Sequence, residues 1–380
     1  MYHPIHLKST ITLVAVGLLT TLIANVAVAQ VKYSPFNYPD AMGGSFGPTG
    51  IRGAGGQNVF ITGSVHPTPP PTPTPPCFVD SHGLLYTGPL SGEGSWTVLD
   101  YPSSSPSPTV TGTVLYGPDN LPPNNVRIVG SYTLCDDPNG TRNHGLLYEG
   151  PPDGSGSWQT IDFPISAATP SPSPGEYVLN TIAHSTMGGL VVGNFDTDLV
   201  TGRAFVYDIA ANSWKELIKP SVSITAYGIW YNGGTSYTIA GGYSDGNPNG
   251  IDHGYLAHWD SATQTASDWT QYDFDNGQTH VEVSHFDGIT TDNQGGYYLT
   301  GEWAGGQQLG GFFAHVRRMP HRAFGDAHWR DIEYPSSPGL SVELTTGNTV
   351  FENNVLGIYV YTVNGNPTFT GYIANVQGHR

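Results

Sequence analysis

The chain has 380 residues, of which 50 are glycine and 31 are proline, about a fifth of the total against roughly 12% in average proteins. Charged residues make up only 11% and aromatic residues 12%. That excludes long solvent-exposed helices and coiled coils, which need Glu and Lys on an outer face, and ordinary charged disorder, which lacks the aromatic material for a core. A net charge of −17 excludes non-specific binding to nucleic acid.

Residues 1–29 read as a secretory signal peptide. A weakly basic start (His3, His6, Lys8) leads into an apolar run from Ile11 to Ala24, and Ala27-Val28-Ala29 fits the small-residue cleavage rule. The run is too short for the ~20 residues a membrane helix needs. Cleavage after Ala29 then leaves residues 30–380 as the mature domain, secreted to the extracellular space or periplasm, with no membrane span.

From about residue 55 the sequence repeats itself. One unit holds His82-Gly83-Leu84-Leu85-Tyr86, Ser95-Trp96 and Leu99-Asp100-Tyr101-Pro102, and the next holds His144-Gly145-Leu146-Leu147-Tyr148, Ser157-Trp158 and Ile161-Asp162-Phe163-Pro164. Weaker copies carry Trp214, Trp269 and Trp329 at the same place, and a sixth begins at Gly371-Tyr372-Ile373-Ala374 and stops. Upstream of each lies an apolar stretch broken by glycine, at Gly63, Gly130, Gly193, Gly241, Gly301 and Gly357, with steps of 48 to 67 residues. Each unit carries about four short β-prone runs separated by turn residues, the pattern of a propeller blade with long loops. The fold class expected is all-β, a six-bladed β-propeller in one domain.

The sixth unit lacks its last strand. The mature N-terminus supplies a candidate, because Tyr33-Ser34-Pro35-Phe36-Asn37-Tyr38-Pro39 aligns with Trp96 to Pro102 and puts Tyr33 in the tryptophan slot. An N-terminal strand over 33–39 would close the last blade and remove an exposed edge. The repeated Trp reads as the packing anchor of each outer strand, and His82, His144 and His253 as hydrogen-bonding residues at strand starts. Pro/Ser-rich insertions fall at 66–81, 103–111 and 165–175. They occupy the loops between second and third strands and between blades, which emerge on one face of a propeller. Cys77 and Cys135 sit in equivalent loops of neighbouring blades, so a disulfide between them is expected, closing a 58-residue loop.

Chemistry is sparse. Asp245, Asn247 and Asn249 place oxygen ligands at alternating positions with Gly250 following and Asp252 two residues beyond it, a spacing that suits Ca²⁺. The same residues also make a common polar turn, and the position-12 Glu of an EF-hand loop is replaced by Leu256. His280 and Glu282, near the start of the fifth inner strand, are the candidates for acid/base work, in a neighbourhood that also holds His285, Asp287, Asp292 and Glu302. Strand alternation puts His285 on the opposite face from His280 and Glu282. Arg317, Arg318, Arg322 and Arg330 concentrate basic charge in an otherwise acidic chain and are the candidates for binding an anion or acidic polymer. No nucleophile elbow, zinc-protease helix, phosphate loop or dinucleotide fingerprint is present, and the sialidase-type box S-x-D-x-G-x-x-W is not matched.

The segments HGLLYEG…GSWQTIDFP (144–164) and VRIVGSY (126–132) resemble the bacterial extracellular HAF-type repeat proteins. The resemblance implies export and a propeller-like fold, and it carries over no catalytic residue. The sequence thus leads to a secreted, monomeric propeller that acts as a binding or scaffold module for a polysaccharide or protein through its loop-rich face. The alternative is an extracellular glycan hydrolase or lyase with its site at the central channel mouth. Two or more carboxylates converging with a histidine at that mouth would favour the second.

Overall fold

The computed structural model describes residues 30–39, 45–67, 77–103, 109–135, 137, 140–247, 250–275, 277, 280–319 and 324–378. They form six antiparallel sheets arranged as the blades of a β-propeller. Strands are lettered A to D from the axis outward. Blade one comprises Ser45–Gly55, Asn58–His66, His82–Pro89 and Ser95–Val98. Blade two comprises Val110–Leu121, Asn125–Leu134, His144–Gly150 and Ser157–Thr160, and blade three Val178–Met187, Leu190–Thr197, Arg203–Asp208 and Ser213–Leu217. In blade four strand A is split into Ser223–Ile224 and Gly228–Gly233, followed by Ser236–Ser244, His253–Asp260 and Thr265–Tyr272. Blade five runs Val283–Thr291, Tyr297–Gly305, Gln308–Val316 and Ala327–Ile332. Blade six again splits strand A, into Val342–Thr345 and Thr349–Phe351, before Asn354–Val363 and Asn366–Val376.

Strand D of blade six is the N-terminal segment Val31–Pro35, paired antiparallel with strand C in a register that sets Tyr33 opposite Ala374. The equivalent pairs elsewhere are Tyr86 with Trp96, Tyr148 with Trp158 and Ala314 with Trp329, so Tyr33 does occupy the tryptophan slot. The strand lies slightly earlier than the sequence suggested. Phe36 follows it, donates its N–H to the Gly371 carbonyl at 2.8 Å, and is buried.

Four of the five outer Trp make ring contacts across a seam between blades. Trp96 meets Phe36 and Tyr38 of the closing segment at 5.4 Å, Trp158 meets Tyr101 at 5.6 Å, Trp214 meets Phe163 at 5.7 Å and Trp329 meets Phe274 at 5.4 Å. Tyr33 does the same against Tyr334 at 5.6 Å. These near-perpendicular and tilted ring contacts add to plain burial in sealing one sheet to the next.

The repeated histidines tie strand C to the end of strand D within a blade. His82 bonds Asp100 at 2.7 Å, His144 bonds Asp162 at 2.8 Å and His253 bonds Asp273 at 2.6 Å. In blade three the pair is replaced by Arg203 and Glu216, joined by two bonds of 2.8 Å.

B–C loops and blade junctions share one face. Backbone bonds link them directly, as from Asp80 to Thr111, Arg142 to Leu179 and Asp252 to Glu282. On this face Cys77 and Cys135 form a disulfide, with Cα atoms 5.2 Å apart. Among the described residues no helix is long and apolar enough to cross a membrane. The proposed signal peptide, most of the 66–81 and 103–111 insertions, Asn249 and Arg322 lie outside the described residues.

Candidate functional site in the central channel

The repeating glycine of strand B explains how the channel is furnished. A Cβ at Gly63, Gly130, Gly193, Gly241, Gly301 or Gly357 would overlap a strand A carbonyl oxygen, that of Gly47, Val114, Ile182, Thr225, His285 and Thr346 respectively. Two residues further along, each strand A loses its regular pairing. Bulges fall between Pro48 and Gly50, Leu115 and Pro118, Ala183 and Ser185, and Phe286 and Gly288, and the splits in blades four and six fall at the same level. A bulge re-aims the unpaired side chain. Here it turns one residue per blade into the channel: Thr49, Tyr116, His184, Tyr227, Asp287 and Asn348. His285 and its strand partner Glu302 complete the lining of a cavity of about 370 Å³.

The cavity is closed on one side. Arg52, three residues after Thr49 on the same strand, is buried and reaches across the axis. It donates to the main-chain oxygens of Pro118, Ile289 and Ile229 at 3.3, 3.4 and 3.5 Å, and its guanidinium lies 5.1 Å from the centre of the Trp230 ring. One side chain thereby joins blades one, two, four and five. Strand A runs from the blade-junction face inward, so the cavity opens on the loop-rich face and ends at Arg52.

Its electrostatics are unusual. Burial, then the negative charge of Glu302, holds the Asp287 carboxyl well above the ordinary carboxylate range. Burial pushes Glu302 up to about 7. The two histidines move the other way, His285 to about 4 and His184 to about 3, because burial disfavours their charged forms. His184 is neutral on geometric grounds as well. The Asn194 Oδ1 accepts the Ala226 N–H at 2.8 Å, which turns the Asn194 amide N–H toward His184 Nε2 at 3.2 Å, so Nε2 is the bare nitrogen. Burial, then Asp287, also raises the hydroxyls of Tyr116 and Tyr227, which stay protonated. His285 Nδ1 and Asp287 Oδ2 stand 3.6 Å apart, beyond hydrogen-bond reach, and neither has a partner among the described residues.

Of the residues singled out from sequence, His285, Asp287 and Glu302 line the cavity and the others fall elsewhere. His280 and Glu282 are exposed on the loop-rich rim, outside the channel. Arg317 and Arg318 are exposed just beyond strand C of blade five, and Arg330 lies within strand D opposite Phe313. Asp245 accepts the Asn247 N–H at 2.8 Å in a local turn and lies 4.0 Å from His253 Nε2. Among the described residues no group of three or more His, Cys, Asp or Glu is arranged to hold a metal ion. Asp292, also in the acid–histidine neighbourhood, bonds His315 at 2.9 Å away from the channel.

Sequence reasoning passed over the ring because no blade repeats its neighbour's residue there. A positional signal does exist. Four of the six ring residues precede glycine, as Thr49-Gly50, Tyr116-Gly117, Tyr227-Gly228 and Asp287-Gly288. At Gly50 and Gly288 a Cβ would press on the neighbouring blade's backbone, at Gly117 and at Thr349. Aligned by the strand B glycine, those steps mark where the strands converge on the axis.

No protein-family model matches this chain, and no curated protein matches its sequence. Solved structures do match its shape. NanB sialidase from Streptococcus pneumoniae superposes over 92% of this chain and 70% of its own, with a TM-score of 0.51 at 9% identity. Trypanosoma rangeli sialidase covers 87% of this chain and 54% of its own, with a TM-score of 0.46 at 10% identity. At such identity the likeness is one of fold, a six-bladed propeller.

Proposed function

We propose that the protein is an extracellular glycan-processing enzyme whose site is the central channel. The observation that carries this is the convergence of two buried carboxyls, Asp287 and Glu302, with His285 in a one-ended cavity open to the loop-rich face. Asp287, held well above the ordinary carboxylate range, suits a general acid that is protonated on arrival of substrate. Glu302, raised only to about 7 and so the first of the two to ionise, suits the carboxylate that supports positive charge on a sugar ring as the glycosidic bond breaks. The neutral rings of Tyr116, Tyr227 and His184 supply faces on which a sugar can stack. Glycan chemistry in a propeller of this shape has a counterpart in the sialidases named above, which is an analogy of fold. The disulfide fits an exported protein.

The test is a panel of polysaccharides assayed for new reducing ends and for unsaturated products, with the wild type, Glu302→Gln and Asp287→Asn. Turnover by the wild type, reduced by about 10²–10⁴ in either variant, is the expected outcome. A second reading, a non-catalytic module that binds a polysaccharide or protein, is favoured by the opening of the cavity on the face where the Pro/Ser-rich insertions emerge. Binding of a glycan without any turnover would select it.

A further inference from the structure

The channel also states what kind of ligand it can accept. Among the described lining residues there are two carboxyls and no Lys or Arg. The nearest cation below, Arg52, directs its donors at three main-chain oxygens, and its charge is offset by Asp119. An anionic sugar would face Asp287 and Glu302 with nothing to balance it. A neutral sugar would leave two adjacent carboxyls uncompensated. Around them stand aromatic rings in an arc: Tyr116 lies 4.8 Å from His184 at 65°, His184 lies 4.6 Å from Tyr227 at 83°, and Tyr227 lies 5.5 Å from His285 at 54°. Ring faces closed by carboxylates form the recognition chemistry of an ammonium group. The orphaned Asp287 Oδ2 is the acceptor such a group would meet.

We propose that the channel receives a positively charged amino group, carried by an amino sugar unit of a basic glycan. This rests on the glycan reading above for the sugar, and on the channel alone for the charge. A bound cation favours an ionised carboxylate, so its arrival draws the proton from Glu302, the lower of the two, while Asp287 keeps its own. The other titratable groups facing them do not change state near neutral pH. His184 and His285 stay neutral, Tyr116, Tyr227 and Tyr372 stay protonated, and the charge of Asp252 bears on His285. Affinity for a cation of fixed charge should therefore rise as pH increases through about 7.

Isothermal titration with choline, whose charge does not depend on pH, tests this, alongside glucosamine, glucose and glucuronate. Choline and glucosamine should bind, choline about tenfold more tightly at pH 8 than at pH 6, with proton release that scales with buffer ionisation enthalpy. Asp287→Asn and Tyr227→Leu should each weaken choline at least about tenfold while circular dichroism and melting show intact folding. Glucuronate or glucose binding as tightly as glucosamine, or a choline affinity that ignores pH, would overturn the proposal. The two readings fail separately. Choline binding without turnover of any glycan removes the enzyme and keeps the ammonium site. Turnover of a neutral or acidic glycan that choline does not inhibit does the reverse.

Discussion

Histidine meets carboxylate in two regions of this propeller, and the two meetings are opposite in kind. On the rim His82, His144 and His253 each bond an aspartate at 2.6 to 2.8 Å, in the same slot of three blades. In the channel His285 and Asp287 approach only to 3.6 Å, each with a buried atom unbonded, and no other blade has the pair. A satisfied, repeated contact is architecture, because every blade has the same strand ends to join. An unsatisfied, unrepeated one stores unfavourable desolvation that the surrounding fold must tolerate, which is how binding and catalytic sites are built. The difference teaches that in a repeat protein the exceptions to the repeat, rather than its signature residues, are where chemistry should be sought.

The sharpest way to break the comparison is to attack the rim where it closes the ring. Removing residues 30–36 would leave strand C of blade six as a bare edge and uncover the seam that Phe36 fills against Phe46, Tyr86 and Trp96. Phe36→Ala alone should lower stability by about 3–5 kcal/mol, and the deletion by more, read as the denaturation midpoint. An unchanged midpoint would mean that closure contributes nothing. Replacing Cys77 and Cys135 by serine should cost roughly 3–4 kcal/mol, the value for freeing a 58-residue loop in the unfolded chain. His144→Ala, which takes one partner from the buried carboxylate of Asp137 and one from Asp162, should cost about 1–3 kcal/mol and leave choline binding and glycan turnover unchanged. In the channel the signs reverse. Asp287→Asn should weaken choline at least about tenfold yet hold or raise stability at pH 7, since it removes a carboxyl that burial penalises. A rim variant that loses activity at full stability, or an Asp287 variant that unfolds, would erase the distinction.

The rim was legible in the sequence and the channel only in part, for one physical reason. Blade architecture reuses a position, so Trp96, Trp158, Trp214 and Trp329 and the strand B glycines declare themselves by recurrence, and even Tyr33 could be assigned by alignment to a slot. The ring draws on five residue types from six blades, with only Tyr used twice, so recurrence hides it. His280 and Glu282 attracted notice by clustering along the chain, but both precede the start of strand A at Val283 and stay exposed on the rim. His285, which strand alternation set on the other face, is the one that reaches the cavity. Arg52 carried no signal at all, because its importance lies in carbonyls contributed by three other blades.

The smallest effect separates the two regions by pH. Glu302 is raised from 4.5 to about 7 on folding, so the stability tied to its protonated form is complete below pH 4.5 and declines as pH climbs to 7, then stays flat. His144 is also raised from 6.5: burial lowers it, but the bonds and charges of Asp162 and Asp137 prevail. Its contribution is complete below pH 6.5 and declines only above that, through its folded value. Both groups make the protein less stable as pH rises, yet in successive windows. Melting curves from pH 4 to 9 should therefore show Glu302→Gln flattening the lower part of the wild-type decline and His144→Ala the upper part. If Glu302→Gln leaves the slope between pH 4.5 and 7 untouched, that carboxyl is not desolvated, and the channel loses the asymmetry that sets it apart from the rim.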